Sequence, residues 1–180
     1  MNRLFAALRL PEVIIEDIVR MRDSVNPEEP GHLKWEDSSK MHLTLKFLGD
    51  TSEENTQEVI KILGKIASRY HKIFLEYDRF GFFMPRIFWF GLRAENALFE
   101  LVNDINNDLE LLGFERENRN FKPHITLLRI KRNPSEEFVN AFRNFSVPAR
   151  KFYASEIALV RSELLPGGSV YSEIERFNLT

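Results

Sequence analysis

The sequence predicts strands and helices arranged as two similar lobes that share one cleft. Strand–helix–strand patterns occur twice along the 180 residues, and a His-x-Thr motif within an apolar strand also occurs twice, at His42–Thr44 and His124–Thr126. Side chains at alternate positions of a strand leave the same face. Each motif therefore presents an imidazole and a hydroxyl on one face, and the simplest arrangement brings both faces to one cleft.

The chain begins with a predicted strand, RLFAALRL (3–10), and a helix, PEVIIEDIVRMRDSV (11–25), for which Pro11 suits the first turn. After the loop 26–31, HLTLKFLG (42–49) is predicted as a strand. Strict alternation gives this strand a core face and a second face, on which Lys46 is expected to be solvated. The core face consists of Leu43, Leu45 and Phe47, and the stripe of the first helix consists of Ile14, Ile15, Ile18, Val19 and Met21.

The second helix is expected to begin at TSEE (51–54), where Thr51 and Glu54 fit a capping box. Residues 72–93 are dense in Phe and Ile and predict two or three strands, broken at Gly81 and Pro85. A third helix is predicted from Glu95 to Leu112, with Gly113 ending it. The inward residues of these helices are Val59, Ile62, Leu63 and Ile66, then Leu98, Leu101, Val102, Ile105 and Leu109.

The remainder of the chain predicts a strand that holds the second motif, one short helix and two closing strands. FKPHITLLRIK (121–131) is the strand, and Asn133-Pro134 opens the helix PSEEFVNAFRNF. The closing strands are KFYASEIALVRSEL and SVYSEIERFNL, joined by the turn LPGG. The other two histidines, His32 in a loop and His71 at a helix end, are predicted to lie outside the site.

Composition narrows the class of protein. The chain has no cysteine, which excludes disulfides, zinc–thiolate sites and a cysteine nucleophile. Its formal net charge of −2 argues against a nucleic-acid coat protein. No apolar run approaches the roughly 18 residues of a membrane span, and the N-terminal apolar stretch is too short for a signal peptide. We therefore expect a cytoplasmic globular protein with no membrane association.

The paired motifs suit chemistry at a phosphate. Two imidazoles with ordinary pKa values of about 6.5 can act at neutral pH as one base and one acid, and two hydroxyls can donate hydrogen bonds to phosphate oxygens. No metal is needed if the histidines handle both protons. A zinc site is the weaker alternative, because two histidines supply half of a tetrahedral ligand set. One His-x-Thr alone would indicate only a structural or solvated histidine.

HLTLKFLG and HITLLRI resemble the paired H-x-T-x motifs of the 2H phosphoesterase superfamily. Within it, the chain is most similar to the bacterial and archaeal RNA 2′,3′-cyclic phosphodiesterases, long called 2′-5′ RNA ligases. The likeness runs from RLFAAL through Trp35, PRIFWFGL and FKPHITLLRI to VRSELLPGGSVYSEIERFNL. It implies an α+β fold in a single bilobal domain, 1–180, whose two pseudo-symmetric lobes are antiparallel sheets backed by helices. A central cleft between the lobes carries the motifs.

The implied activity is metal-independent opening of an RNA or nucleoside 2′,3′-cyclic phosphate to a 2′-phosphate, without a cofactor. Some members also join such an end to a 5′-hydroxyl through a 2′-5′ linkage. By this resemblance His42 is the proton donor to the departing 3′-oxygen and His124 the acceptor that activates water, while Thr44 and Thr126 bind the phosphate. The residues themselves do not decide which histidine is acid and which is base.

Arg129 matches a basic residue that in the family is thought to hold the phosphate. Arginine is permanently charged and forked, which suits this role. Strict alternation, however, puts Arg129 on the face opposite His124, so it reaches the cleft only if the strand twists, bulges or ends near Leu128. The first motif has Phe47 at the matching offset, so the two halves differ at this position.

Base recognition and turnover are left open. One ring of the aromatic run Phe82–Phe90 can stack on a base or only pack in the core, and Tyr171 can approach the cleft or only pack in a turn. The expected substrate partner is RNA with a 2′,3′-cyclic phosphate end, or a nucleoside 2′,3′-cyclic phosphate, and the protein is expected to be a monomer. The alternative is a binding module that holds such ends without turnover, but only an enzyme needs both histidines.

Overall fold

The computed structural model describes residues 2–25, 35–83, 87–130, 134–166 and 168–180. Eight strands and four α-helices lie within these ranges, and a short 3-10 helix (Ser38–Lys40) precedes the second strand. In chain order the elements are β1 (Asn2–Leu8), α1 (Glu12–Ser24), β2 (Leu43–Thr51), α2 (Glu53–Ala67), β3 (Ile73–Phe83), β4 (Ile87–Ala94), α3 (Asn96–Glu110), β5 (His124–Arg129), α4 (Glu136–Arg143), β6 (Lys151–Ala154), β7 (Glu156–Leu165) and β8 (Gly168–Asn178). None of the helices in these ranges is long and apolar enough to cross a membrane.

The strands form an antiparallel sheet in the order β6-β3-β4-β5-β2-β1-β7-β8. Strands β2, β1, β7 and β8 make up the first lobe, and β5, β4, β3 and β6 the second. Among the described residues, Leu43 and Ile125 are the one Cα pair that joins β2 to β5. We call this narrow junction the seam. The predicted α+β class with two antiparallel lobes is confirmed.

Helices cover one face of the sheet in both lobes. In the first lobe α2 packs against α3 and against β7 and β8, while α3 lies on β2; in the second lobe α4 lies on β3. Helix α1 is tied to β3, because the Tyr77 hydroxyl donates to the Ile14 carbonyl oxygen at 3.5 Å. All five predicted inward residues of α3 are buried, and a continuous hydrophobic cluster extends through both lobes. The opposite face of the sheet is left for the site.

Two predicted helix starts are wrong. The N-cap of α2 is Ser52, whose hydroxyl accepts from the Asn55 amide at 3.1 Å. Thr51 instead ends β2 and donates to the Gly49 carbonyl oxygen. The cap of α4 is Ser135 rather than the predicted Asn133-Pro134, of which Asn133 lies outside the described residues. Both serines follow the usual rule that a short hydroxyl satisfies a free amide at a helix start.

The closing segment contains three strands, whereas the sequence predicts two. β6 ends at Ala154 and pairs with β3 in the second lobe, whereas β7 and β8 extend the first lobe. Gly81 does not break β3, which continues to Phe83, and Pro85 lies outside the described residues. His71 is exposed, with its ring near the Thr180 carbonyl oxygen rather than a helix end. His32 lies outside the described residues.

Candidate active site

The seam places the two His-x-Thr motifs side by side. Leu43 pairs with Ile125 in antiparallel orientation, and each is the central residue of its motif. The histidine of each motif therefore lies next to the threonine of the other, and the two histidines are diagonal neighbours, which are about 7–8 Å apart in antiparallel pairs. All four side chains leave the same face of the sheet, as the sequence predicts.

Both motif strands contain a β-bulge directly after the threonine. In β2 the extra residue is Leu45, which has no partner on β1; in β5 it is Leu127, which has none on β4. A bulge shifts the alternation by one residue. As a result, Phe47 and Arg129 point to the same face as the histidines. The burial pattern from His42 to Phe47 is identical to that from His124 to Arg129.

The bulge overturns two predictions for β2. Strict alternation predicts Phe47 in the core, but its ring is 67% exposed on the site face. It also predicts a solvated Lys46, but Lys46 is 4% exposed. The Lys46 ammonium donates to the Asn106 amide oxygen at 2.8 Å and to the Glu115 carbonyl oxygen at 2.7 Å, and burial lowers its pKa. The two side chains have exchanged faces because Leu45 and Lys46 both point inward.

His42 is held between two aromatic rings. Phe5 stacks on the imidazole with centroids 4.7 Å apart, and Tyr171 meets it edge-on at 5.7 Å, so Tyr171 does approach the cleft. In the neutral imidazole, Nδ1–H donates to the Lys40 carbonyl oxygen at 2.6 Å, and Nε2 lies 3.0 Å from the Thr44 hydroxyl, from which it can accept. Burial lowers the pKa of His42 to about 4.

His124 has a different environment with the same tautomer. Its Nδ1 lies 2.7 Å from the Lys122 carbonyl oxygen, so Nε2 is again the nitrogen that remains for the cleft. The Phe83 ring meets the imidazole edge-on at 5.0 Å, and the Trp89 ring lies at 6.4 Å. Burial lowers the pKa of His124, and the charge of Arg129 lowers it further. The two histidines thus present equivalent nitrogens from unequal surroundings.

Arg129 lies close enough to both histidines for its charge to lower both pKa values. Its guanidinium is mostly exposed, and its Nε lies 3.6 Å from the Glu36 carboxylate. The Glu36 amide donates to the Leu127 carbonyl oxygen at 2.8 Å, which fixes this segment beside the bulge of β5. Because the guanidinium of Arg129 is mostly exposed, the ion pair with Glu36 orients it but does not neutralise a buried charge. The sequence held no indication of this pairing, because residues 36 and 129 lie far apart in the chain.

A groove of about 680 Å³ extends from His42 over the open face of the first lobe. Phe5, Val160 and Tyr171 contribute apolar and aromatic walls, and Glu12 and Glu16 of α1 border the groove. It contains no residue of β5, so it lies to one side of the histidine pair. Among the described residues there is no group of three or more His, Asp or Glu side chains arranged to hold a metal ion.

Two imidazole nitrogens, two hydroxyls and one guanidinium therefore converge on one face at the seam. A phosphate between the histidines would have its non-bridging oxygens near the hydroxyls and the arginine. One neutral imidazole can take a proton from a nucleophile, and a protonated one can give a proton to a leaving oxygen. Fixed donors around the phosphate stabilise charge that develops as the bond order changes.

Comparison with known proteins gives consistent matches. The model of the family described as LigT like Phosphoesterase matches residues 8–89 and 91–171, and each match contains one His-x-Thr motif. A protein of Escherichia coli K12 named RNA 2′,3′-cyclic phosphodiesterase is 32% identical over 184 residues, covering 99% of this chain and 97% of the relative. A protein of the same name from Aquifex aeolicus is 31% identical, covering 98% and 97%.

Solved structures agree with the sequence matches. The structure of E. coli LigT complexed with 3′-AMP superposes with a TM-score of 0.78 at 30% identity, covering 99% of this chain and 98% of that one. A protein from Thermus thermophilus superposes with a TM-score of 0.81 at 28% identity, covering 98% and 97%.

Proposed function

This chain belongs to the LigT like phosphoesterase family, and from that premise we propose that it is a metal-independent RNA 2′,3′-cyclic phosphodiesterase. It opens 2′,3′-cyclic phosphate ends to 2′-phosphates. The observation that carries the proposal is the seam, where one antiparallel pair, Leu43 with Ile125, brings both His-x-Thr motifs to one face. The names of the relatives, which cover nearly the whole chain, support the same activity.

In the proposed mechanism His124 accepts a proton from water through Nε2, and the water oxygen attacks phosphorus. The bond from phosphorus to the 3′-oxygen breaks on the opposite side, and the departing 3′-oxygen takes a proton from Nε2 of His42. The new P–O bond leaves a 2′-phosphate. After turnover His124 carries the proton and His42 is neutral, so solvent exchange restores the starting state.

The hydroxyls and the guanidinium hold the phosphate during this exchange. Thr44 and Thr126 donate to non-bridging oxygens, and Arg129 supplies a permanent positive charge at the same oxygens. Burial is the main cause of the lowered pKa of both histidines, and the charge of Arg129 lowers both further. An anionic phosphate that binds the guanidinium offsets this second contribution and so favours protonation of the imidazoles.

The same geometry gives 2′-5′ ligation when a 5′-hydroxyl replaces water. His124 then takes the proton of that hydroxyl, its oxygen attacks phosphorus, and the bond to the 3′-oxygen breaks as before, with a proton from His42. Substrates are RNA ends or single nucleosides with a 2′,3′-cyclic phosphate. The net charge of −2 offers no extended track for a phosphate backbone, so recognition centres on the terminal nucleotide. We further propose that residues 1–180 form one bilobal domain. Because both halves of the site come from one chain, we propose that the protein acts as a monomer. We also propose that it works in the cytoplasm.

The test is a product assay on a short RNA ending in a 2′,3′-cyclic phosphate, run in EDTA. Wild type is expected to release a 2′-phosphate. His42→Ala and His124→Ala should each lose about 10²–10⁴-fold in rate, the usual contribution of one acid or base. His71→Ala is the matched control, since that exposed histidine contacts only the C-terminal residue among its described hydrogen bonds, and full activity is expected.

Circular dichroism and urea unfolding check that each variant folds. Activity that disappears in EDTA and returns with zinc would replace this mechanism with a metal-dependent one. No product from wild type, together with measurable binding of the oligonucleotide, would place the protein among binding modules.

A further inference from the structure

The floor of the groove beside His42 is made of small side chains. Thr44 of the first motif pairs with Ala7 on β1, and Ala7 pairs with Ala158 on β7. Both alanines line the groove, which has a volume of about 680 Å³. Sites for small molecules and cofactors have volumes of roughly 300–1,000 Å³. The groove is therefore large enough for a ligand of that class.

In the second lobe a tryptophan fills the equivalent space. Thr126 of the second motif pairs with Trp89 on β4, and Trp89 pairs with Gly81 on β3. A Cβ at Gly81 would lie 2.3 Å from a ring carbon of Trp89, so the indole lies directly over this glycine. The two lobes thus have equivalent positions beside their motifs, and the position in the first lobe is open.

The proposed mechanism decides which part of an RNA substrate faces the groove. His42 gives its proton to the departing 3′-oxygen, and His42 itself lines the groove. In ribose the 3′-carbon is bonded to C4′, which carries C5′ and the 5′-oxygen, whereas the 2′-carbon is bonded to C1′, which carries the base. The 5′-oxygen therefore lies on the His42 side of the sugar. In an RNA this oxygen leads to the preceding nucleotide, which is thus directed towards the groove.

Lys40 supplies a cation where the substrate chain would enter the groove. Its carbonyl oxygen accepts from Nδ1 of His42 at 2.6 Å, so Lys40 lies beside the reacting histidine, and it lines the groove. An ammonium here can pair with the phosphodiester between the last two nucleotides. Arg9 also lines the groove, but its guanidinium faces Glu156 at 3.4 Å and Glu173 at 3.6 Å. These glutamates partly neutralise Arg9, so Lys40 is the better partner for a phosphate.

Helix α1 borders the groove with two carboxylates. Glu12 and Glu16 are exposed, lie one turn apart on the helix, and both line the groove. Arg20 and Arg150 form their ion pairs with the neighbouring Asp17. A carboxylate accepts hydrogen bonds from the amino groups of bases and repels their carbonyl oxygens. The groove therefore favours a base that presents hydrogen-bond donors.

Apolar side chains complete the wall of the groove. Val160 and Tyr171 line it from the sheet, and Ile15 and Val19 line it from α1. Proteins commonly bind single-stranded RNA by stacking a splayed base on such a surface and bonding its edge. Guanine presents an N–H and an amino group side by side, adenine and cytosine present one amino group, and uracil presents one N–H between two carbonyl oxygens. Guanine suits the carboxylates best and uracil least.

We infer that the groove binds the nucleotide that precedes the 2′,3′-cyclic phosphate end, and that Glu12 and Glu16 favour guanine over uracil at that position. The inference rests on the proposed function, because the placement of the 3′-oxygen at His42 comes from that mechanism. The enzyme therefore distinguishes RNA ends by their second-last base, which a single nucleoside 2′,3′-cyclic phosphate does not have.

The experiment compares three substrates with the same reacting end. They are uridine 2′,3′-cyclic phosphate and the dinucleotides GpU and UpU that end in the same cyclic phosphate. Each dinucleotide kcat/KM is divided by that of the mononucleotide, so that effects on the chemical step cancel. The enzymes are wild type, Glu12→Gln/Glu16→Gln and Val160→Trp. Glu53→Gln/Glu54→Gln is the matched control, because it removes two exposed carboxylates from the first turn of α2, outside the groove.

Wild type is expected to prefer GpU over UpU by about ten- to a hundredfold in kcat/KM, the worth of a hydrogen bond to a charged group. Glu12→Gln/Glu16→Gln should reduce this preference to about threefold or less, mainly through a higher KM for GpU. Val160→Trp fills the groove and should bring both dinucleotides to about the kcat/KM of the mononucleotide. The control should keep the wild-type preference.

Three results would overturn the inference. Equal kcat/KM for all three substrates in wild type would show that no second nucleotide is bound. A preference for GpU that survives in Glu12→Gln/Glu16→Gln would mean that the carboxylates do not read the base. An advantage of the dinucleotides that survives in Val160→Trp would put the second nucleotide outside the groove.

The glutamate variant changes only exposed side chains, so it tests the inference even where circular dichroism shows that Val160→Trp does not fold. Failure of wild type to open the mononucleotide and both dinucleotides would instead overturn the proposed function.

Discussion

The two motif strands, β2 and β5, are alike in backbone and unlike in surroundings. Both have a histidine, a threonine and a bulge in the same order, with the same burial pattern. Yet His42 is stacked under Phe5 with its pKa lowered to about 4, whereas His124 meets only ring edges. Pseudo-symmetry thus fixes where the two imidazoles lie, and the neighbouring side chains decide how readily each imidazole holds a proton.

The difference matters because the proposed mechanism is not symmetric. One histidine must be neutral and the other protonated when the substrate is bound. In the free protein burial lowers both pKa values, that of His42 to about 4. The family resemblance assigns the proton donor to His42. In that assignment His42 must be protonated in the complex with substrate, and the assignment calls for a direct test.

The largest expected effect comes from a substrate with sulfur in place of the bridging 3′-oxygen. A thiolate leaves without a proton, because a thiol has a pKa of about 8.5, far below that of an alcohol. His42→Ala should lose about 10²–10⁴-fold on the oxygen substrate and recover most of that loss on the sulfur substrate. His124→Ala should recover nothing. Single-turnover rates for both variants on both substrates are the measurement.

Recovery of the rate in His124→Ala alone would make His124 the proton donor and His42 the proton acceptor. Recovery in neither variant would mean that protonation of the leaving group is not the task of this pair.

A smaller effect is expected where the strands differ, at Arg129. Arg129→Ala should lower kcat/KM by about ten- to a hundredfold, the worth of hydrogen bonds to a charged group. Because Arg129 lowers the pKa of both histidines, the variant should also titrate both at higher pH, which NMR of the imidazole protons measures. Arg79→Ala, which removes an exposed arginine of the same lobe, should change neither quantity.

Unchanged histidine titration in Arg129→Ala would show that the guanidinium lies away from the pair in solution. Unchanged kcat/KM would remove Arg129 from the phosphate site.

The third effect is on stability rather than on rate, and it sharpens the contrast in burial. The folded-state pKa of His42, about 4, is below the unfolded value near 6.5, so the unfolded chain binds this proton more readily. The contribution of neutral His42 to stability is therefore complete above about pH 6.5 and is lost as the pH falls towards 4. The loss amounts to about 2–3 kcal/mol. Urea unfolding of wild type and His42→Gln from pH 8 to 4 measures it.

His42→Gln should give a flatter dependence of stability on pH than wild type. His124→Gln should flatten it by less, because the His124 ring is less buried. Parallel curves for wild type and His42→Gln would contradict the lowered pKa.

Much of this site could be predicted from the sequence, because a strand with an alternating pattern and a repeated tripeptide leaves few ways to arrange His42 and His124. The two bulges could not be predicted from the sequence. They follow Thr44 and Thr126, with no glycine or proline to mark them, and each depends on pairing with a strand that is distant in sequence. Strict alternation therefore puts Lys46 in solvent, Phe47 in the core and Arg129 on the wrong face.

The number of closing strands was predicted wrongly for a related reason. Ser155 separates β6 from β7 without interrupting the apolar pattern of KFYASEIALV, so the sequence predicts one strand. Only the sheet shows that β6 pairs with β3 in one lobe and β7 with β1 in the other. Helix α3 is the opposite case, because its period and its final glycine are local features and are enough to place it.

The seam has the form of an isologous contact contained within one chain. In a two-fold dimer, residue i of one subunit meets residue j of the other and the reverse holds as well, so every substitution appears twice. Leu43 and Ile125 occupy such equivalent positions, but a single polypeptide encodes them separately. One half can then change while its counterpart is kept. That freedom allows an arginine and a phenylalanine at one symmetric position, which no homodimer of a half-chain could have.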